Sequence, residues 1–128
     1  MLVTCVFGDV EGGQSLAKAA IGMFDVLSDR STECEAKTLI CALVWHWTTP
    51  LRTVQQDALD AYRIGTTTGD VKSAFWAIFQ HLRYSFAGAN LQKLDGDYGI
   101  YSKLAKDFRQ NTQHSLILMQ WQMIQNLL

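Results

Sequence analysis

The stretch Gly69-Asp70-Val71-Lys72-Ser73-Ala74-Phe75-Trp76-Ala77-Ile78-Phe79-Gln80-His81-Leu82-Arg83-Tyr84-Ser85-Phe86 decides the fold class. Its apolar residues Val71, Ala74, Phe75, Ile78, Leu82 and Phe86 recur at helical spacing, which places them on one face of a helix. An aspartate ahead of such a stripe is a natural N-cap, because its carboxylate accepts from amides of the first turn that have no partner within the helix. Gly69 ends the preceding segment, and Gly88 closes this one.

The same period runs outward in both directions. Over residues 12–30, Leu16, Ala20, Met23 and Leu27 form a stripe. Thr32 with Glu35 has the capping-box pattern, and Ala36, Leu39, Ile40, Leu43 and Trp47 carry the next helix to Thr48. Thr49-Pro50 starts another, with proline at the first helical position, where its missing N–H is harmless. Its stripe is Leu51, Val54, Ala58 and Ala61 with Tyr62, and it ends near Ile64, since Gly65 and Thr66-Thr67-Thr68-Gly69 are poor helix formers. Leu91, Leu94, Tyr98, Tyr101, Leu104 and Phe108 form the following stripe, weakened by Gly96 and Gly99, with Asp95-Gly96-Asp97 as its one candidate break. The last helix, after Gln110-Asn111-Thr112, carries Ile117, Trp121, Ile124 and Leu128 on one face and Leu116, Met119, Met123 and Leu127 on another. Two apolar faces need two sets of neighbours.

The pattern amounts to about six long helices plus a short N-terminal one, joined by two to six residues, and no stretch alternates with period two. Short connections make successive helices antiparallel neighbours. The expected fold is therefore all-α, one domain over residues 1–128 built of antiparallel helical hairpins. A phrase recurs within it: Gly8-Asp9-Val10-Glu11-Gly12-Gly13 and Gly69-Asp70-Val71-Lys72-Ser73-Ala74 align without gaps at an offset of 61 residues. Glycine ends one helix, aspartate caps the next, and the small sixth residue lets two helices approach closely.

Composition excludes several classes. The 128 residues are 48% apolar but only 18% charged, with a formal net charge of −1. Disordered chains need low hydrophobicity and high net charge, and nucleic-acid binders need an excess of cations, so both are disfavoured. Cys5, Cys34 and Cys41 are an odd number without a C-x-x-C pair. Cys34 and Cys41 would stand about 10.5 Å apart along one helix, beyond disulfide reach, so free buried thiols in a reducing compartment are expected. Residues 1–7 lack the basic flank and cleavage site of a signal peptide, and the uncharged residues 111–128 contain too many amides for a membrane span. The expected localisation is cytoplasmic.

Several phrases stand in one order: Gly8-Asp9 before a helix, Trp45-His46-Trp47-Thr48-Thr49-Pro50-Leu51 opening another, and Ala61-Tyr62-Arg63-Ile64-Gly65. Thr68-Gly69-Asp70 through Ala74, Gly88-Ala89-Asn90-Leu91 and the glutamine-dotted Gln120 to Leu127 complete it. In that order, from Gly8 to Leu128, the chain resembles the tetratricopeptide-like helical region of large hybrid signal-transduction (histidine/serine-threonine) kinases carrying an AAA-type ATPase module. The resemblance implies hairpins stacked as an irregular tetratricopeptide-like α-solenoid and a role in signal transduction. The phosphate loop of the ATPase, the kinase signatures and the histidine phosphoacceptor box are all absent from this sequence. The chain reads as the helical part alone, a piece of a longer array.

No catalytic, cofactor-binding or metal-ligating residue is assigned. His46, His81 and His114 fall on different predicted helices without ligand partners at helical spacing, so no metal and no cofactor is expected. His81-Leu82-Arg83 followed by Ala87-Gly88-Ala89-Asn90-Leu91 is similar to a histidine phosphotransfer box, although Tyr84 stands where that box has glycine. Cys34 lies between Glu33 and Glu35, whose charge raises a thiol pKa and argues against an active thiolate. Asp57 and Asp60, three apart, read as a solvated helix face rather than a proton-sharing pair, and Lys103, Lys106 and Arg109 read as a basic surface stripe. Trp45, Trp47, Trp76 and Trp121 read as filling between hairpins. The expected function is a non-catalytic scaffold for protein–protein or interdomain contacts. The alternatives are phosphotransfer on His81, or a small-molecule sensor or enzyme with a pocket between helices. Self-association through the apolar ends, residues 1–7 and 117–128, is expected as well.

Overall fold

Two left-handed glycines and two capping aspartates build the recurring phrase into helix starts. Gly8 has φ +71° and Gly69 φ +82°, a region glycine enters without the Cβ penalty. Asp9 Oδ1 then accepts from the Gly12 amide at 2.9 Å, and Asp70 Oδ1 from the Ser73 amide at 3.2 Å. The computed structural model describes residues 8–26, 30–47, 49–88 and 90–128. These form α1 (Val10–Val26), α2 (Glu33–Leu43), a 3-10 turn (Trp45–Trp47), α3 (Leu51–Thr68), α4 (Val71–Ser85), α5 (Leu91–Asp107) and α6 (Asn111–Leu127). There is no strand among the described residues. The apolar stub 1–7 with Cys5, together with Leu27, Thr48, Ala89 and the side chain of His46, lies outside them.

The phrase opens α1 and α4, three helices apart. A two-helix unit returns after an even number of helices, so the recurrence marks shared cap chemistry rather than one position in a repeated hairpin.

α4 is the centre. It packs against α2, α3, α5 and α6 and buries Ser73, Ala74, Phe75, Ala77, Ile78, Gln80, Leu82 and Ser85. Phe75, Ile78 and Leu82 join Leu94, Tyr98, Ala105, Ile117 and Ile124 in the larger core. Each large apolar side chain fully buried there contributes roughly 1.5–3 kcal/mol. Tyr62 stands edge-on to both Phe75 and Tyr101, with ring centroids 6.2 Å and 5.8 Å apart, which ties α3 and α5 to the same cluster. A smaller core of Cys41, Val54 and Ala58, flanked by Trp45 and Tyr84, joins α2 to α3.

The structure corrects several boundaries. α3 runs four residues past Ile64, to Thr68 before the left-handed Gly69; within this last turn the Thr66 and Thr67 hydroxyls donate to the Arg63 carbonyl and Thr68 to that of Ile64. Gly65 lies inside this helix as a point of close approach: a Cβ built there would sit 2.6 Å from Cys34 Sγ and 2.8 Å from Ala74 Cβ. Pro50 is the N-cap of α3 rather than its first helical residue, with φ −54° and ψ 137°. Thr32 makes no side-chain cap bond, and α2 stops at Leu43, where the Trp47 indole donates to the Leu43 carbonyl at 3.2 Å. α5 is continuous through Asp95-Gly96-Asp97.

Two inner faces are also rotated from expectation. α1 buries Gly13 and Ala17, leaving Leu16 and Met23 each 59% exposed. α2 buries Glu33, Cys34, Thr38 and Cys41, while Leu39 and Trp47 are exposed. Apart from the ion-paired Glu33, the residues these two helices bury are small.

Gly65→Ala tests the close approach. Overpacking against two side chains and the Ala74 backbone outweighs the ~1 kcal/mol gained in helix propensity, for a net loss of about 1–2 kcal/mol. Gly96→Ala, with nothing within 4 Å of the added methyl, gains about 0.5–1 kcal/mol. Urea unfolding midpoints at unchanged m-value report both.

Candidate functional site

The two histidines with described side chains are cross-links between helices. His81 Nδ1 lies 2.8 Å from the Gln55 carbonyl of α3, and His114 Nδ1 lies 3.0 Å from the Ser102 carbonyl of α5. A carbonyl oxygen only accepts, so Nδ1 donates in each ring. Gln55 Nε2 donates to Ser85 Oγ, which donates to the His81 carbonyl, both at 2.7 Å, so the His81 contact is part of a closed network. His81 itself is half-buried. Tyr84, the departure from the phosphotransfer box, donates to the Cys41 carbonyl of α2 at 3.0 Å, with the Arg83 guanidinium 4.9 Å over its ring. Among the described residues, no three of His, Cys, Asp and Glu converge as metal ligands.

The two described thiols, Cys34 and Cys41, are buried. Burial pushes Cys34 up to about 11 and Cys41 up to about 12. At Cys34 the neighbouring acids are lesser causes than burial, Asp70 acting more strongly than Glu33. Glu33 is held by the Arg30 Nε at 2.6 Å and the Lys37 Nζ at 3.1 Å, which offset its charge.

Asp57 and Asp60 line one cleft of about 240 Å³ with Lys37, Cys41 and Trp45 but differ in burial: Asp60 is exposed and pairs with Arg63 at 3.2 Å, whereas Asp57 is half-buried. Burial chiefly, with help from Asp60 and against Lys37, raises the Asp57 carboxyl above its ordinary value. The basic stripe is shortened, because Arg109 leaves α5 in a left-handed turn at φ 58°. Trp121 fills the space beside Gly99 and donates to Asp95 Oδ1 at 2.6 Å.

Two larger grooves were not foreseen. One, of about 570 Å³, lies between the start of α3 and the end of α4, with Arg52, Gln55, Tyr84, Asn90 and Lys93 among its walls. The other, of about 370 Å³, lies between α2 and α4, with Leu39, Ala42 and Thr38 on one wall and Ser73, Trp76 and Gln80 on the other. Glu35, Asp70 and Lys72 also line it. Gln80 is 9% exposed, and its Oε1 accepts no hydrogen bond. The sequence did carry a signal for this second face of α4. Ser73, Ala77 and Gln80 follow steps of four and three, and small and polar residues repeating at that spacing beside an apolar stripe mark another packed side.

Two measurements check these environments. In a Cys5→Ser background, dithionitrobenzoate at pH 8 is expected to leave both remaining thiols unmodified for as long as the protein stays folded, and to label both in denaturant. Asp57→Asn is expected to stabilise the fold at pH 7. With its folded pKa raised, the wild-type carboxylate favours the native state only when protonated, so the advantage of asparagine disappears as pH falls below the ordinary 3.8. Unfolding midpoints across that range report it. Compared with known proteins, the chain matches no family model, no curated protein and no solved structure.

Proposed function

We propose that the chain is a non-catalytic helical-repeat scaffold for protein–protein or interdomain contacts in signal transduction, working in the cytoplasm. The observation that carries this reading is the exposed apolar stripe on the first and last described helices. On α1, Leu16 and Met23 are 59% exposed and Val26 86%. On α6, Met119 is 69%, Met123 47% and Leu127 57% exposed. Apolar surface of this kind, contiguous along a helix, is a contact surface in waiting.

An irregular tetratricopeptide-like α-solenoid is the arrangement that fits such faces. Its support is the packing of alternate helices: α2 lies against α4, and α4 against α6, as well as each against its chain neighbour. An array of that kind grows by adding elements to its outer faces. The order of phrases from Gly8 to Leu128 supports placing it beside the helical region of hybrid kinases. A net charge of −1 supports a protein rather than a nucleic-acid partner. No helix among the described residues is long and apolar enough to cross a membrane.

Light scattering at rising concentration tests the reading. The expected outcome is an average mass that climbs above the monomer, and a Met119→Glu/Met123→Glu variant that stays monomeric while keeping its helical circular dichroism. A wild-type monomer across the whole concentration range overturns it.

A further inference from the structure

Among the described residues, two buried side-chain oxygens accept no hydrogen bond, Glu33 Oε2 and Gln80 Oε1; the first is ion-paired with Arg30, and the second belongs to a residue lining the groove between α2 and α4. Gln80 Oε1 is shut off from bulk water and accepts nothing, a state that costs free energy unless a donor is supplied. Gln80 lines the groove, and the terminal torsion of its side chain is broad, so rotation of the amide brings the oxygen toward an arriving donor. Beside it stand the half-buried Trp76 indole and the exposed Leu39.

The charges around the groove select the donor. α2 contributes Glu35, and the start of α4 contributes Asp70 and Lys72. Glu35 is in no ion pair, Asp70 spends one oxygen on the Ser73 amide, and Lys72 is an exposed residue at the rim. Two carboxylates, an unpaired carbonyl and an aromatic surface together suit a planar cation with several N–H groups. We infer that the α2–α4 groove receives an arginine side chain from an extended segment of a partner polypeptide. The guanidinium donates to Gln80 Oε1, lies against Trp76 and is balanced by Glu35 and Asp70, while aliphatic flanking residues cover Leu39 and Ala42. This rests on the scaffold reading and names the chemistry of the partner.

The test uses the full chain and defined probes. Acetyl-Leu-Arg-Leu-amide is titrated against the ¹⁵N-labelled protein, following the Trp76 indole resonance assigned by Trp76→Phe. The expected result is a saturable shift of that indole, with the citrulline and glutamate tripeptides at least about tenfold weaker. Gln80→Leu, which removes the unpaired acceptor at similar volume, raises the unfolding midpoint and weakens the arginine tripeptide by a similar factor. A purely structural Gln80 would not give that opposition of stability and binding. Equal affinity for the citrulline tripeptide, an unmoved Trp76 indole, or unchanged binding in Gln80→Leu overturns the proposal. So does arginine amide alone binding as tightly as the tripeptide, which assigns the groove to a small molecule. Self-association through α1 and α6 is measured separately, so loss of the groove assignment leaves the scaffold reading standing.

Discussion

Three helices meet where Cys34 of α2, Gly65 of α3 and Ala74 of α4 touch, and the rest of the packing depends on how closely they come. A single added methyl at Gly65 has no room, since it would fall within 3 Å of both neighbouring side chains. The absence of that methyl lets α3 and α4 lie almost backbone to backbone, with α2 seated over the seam. α4 is thereby buried on one side by α2 and α3, and its opposite side, through Phe75, Ile78 and Leu82, becomes the base on which α5 and α6 assemble.

Close packing of small residues holds helices together but does little to stop them sliding. Register comes from side chains that reach across to backbone carbonyls: His81 to Gln55, Tyr84 to Cys41, His114 to Ser102 and Gln113 to Lys72. A carbonyl has two lone pairs, so one already engaged within its helix can accept a second bond. Each such bond is worth only about 0.5–1.5 kcal/mol net, yet breaking one strands a buried polar group and costs more. Both histidines with described side chains, His81 and His114, spend Nδ1 in this way. The polar atom left over is Gln80 Oε1, at a groove rather than within a helix pair.

The candidate site was harder to read than the fold for a physical reason. A groove is the space between two helices; the Ser73, Ala77 and Gln80 spacing marks a second packed side of α4, but periodicity within one helix does not say what stands opposite it. Trp76 reads as filling between hairpins, and sequence spacing cannot say which polar atom, Gln80 Oε1 here, will lack a partner once its neighbours are placed. Cys34 shows the same limit from the other side. Its adjacent acids suggested the direction of its pKa correctly, but the main cause is burial, and Glu33 is held by two cations.

Local chemistry was enough to determine the six described helices and the caps at Asp9 and Asp70, since capping and 3.6-residue periodicity act within a few residues of chain, while the Asn90 cap emerged only in the structure. It also marked α6 as a helix with two apolar faces. Tertiary structure alone decided which face of α1 and α2 turns inward, and it chose Gly13, Ala17, Cys34 and Thr38 over Leu16, Met23 and Leu39. Hydrophobicity ranks residues by what they gain on leaving water, but close approach of backbones requires small side chains at the contact. Where those two demands conflict, the neighbouring helix decides. The same holds at Gly65, which reads as a helix terminator in isolation and is a helix-packing residue in the fold.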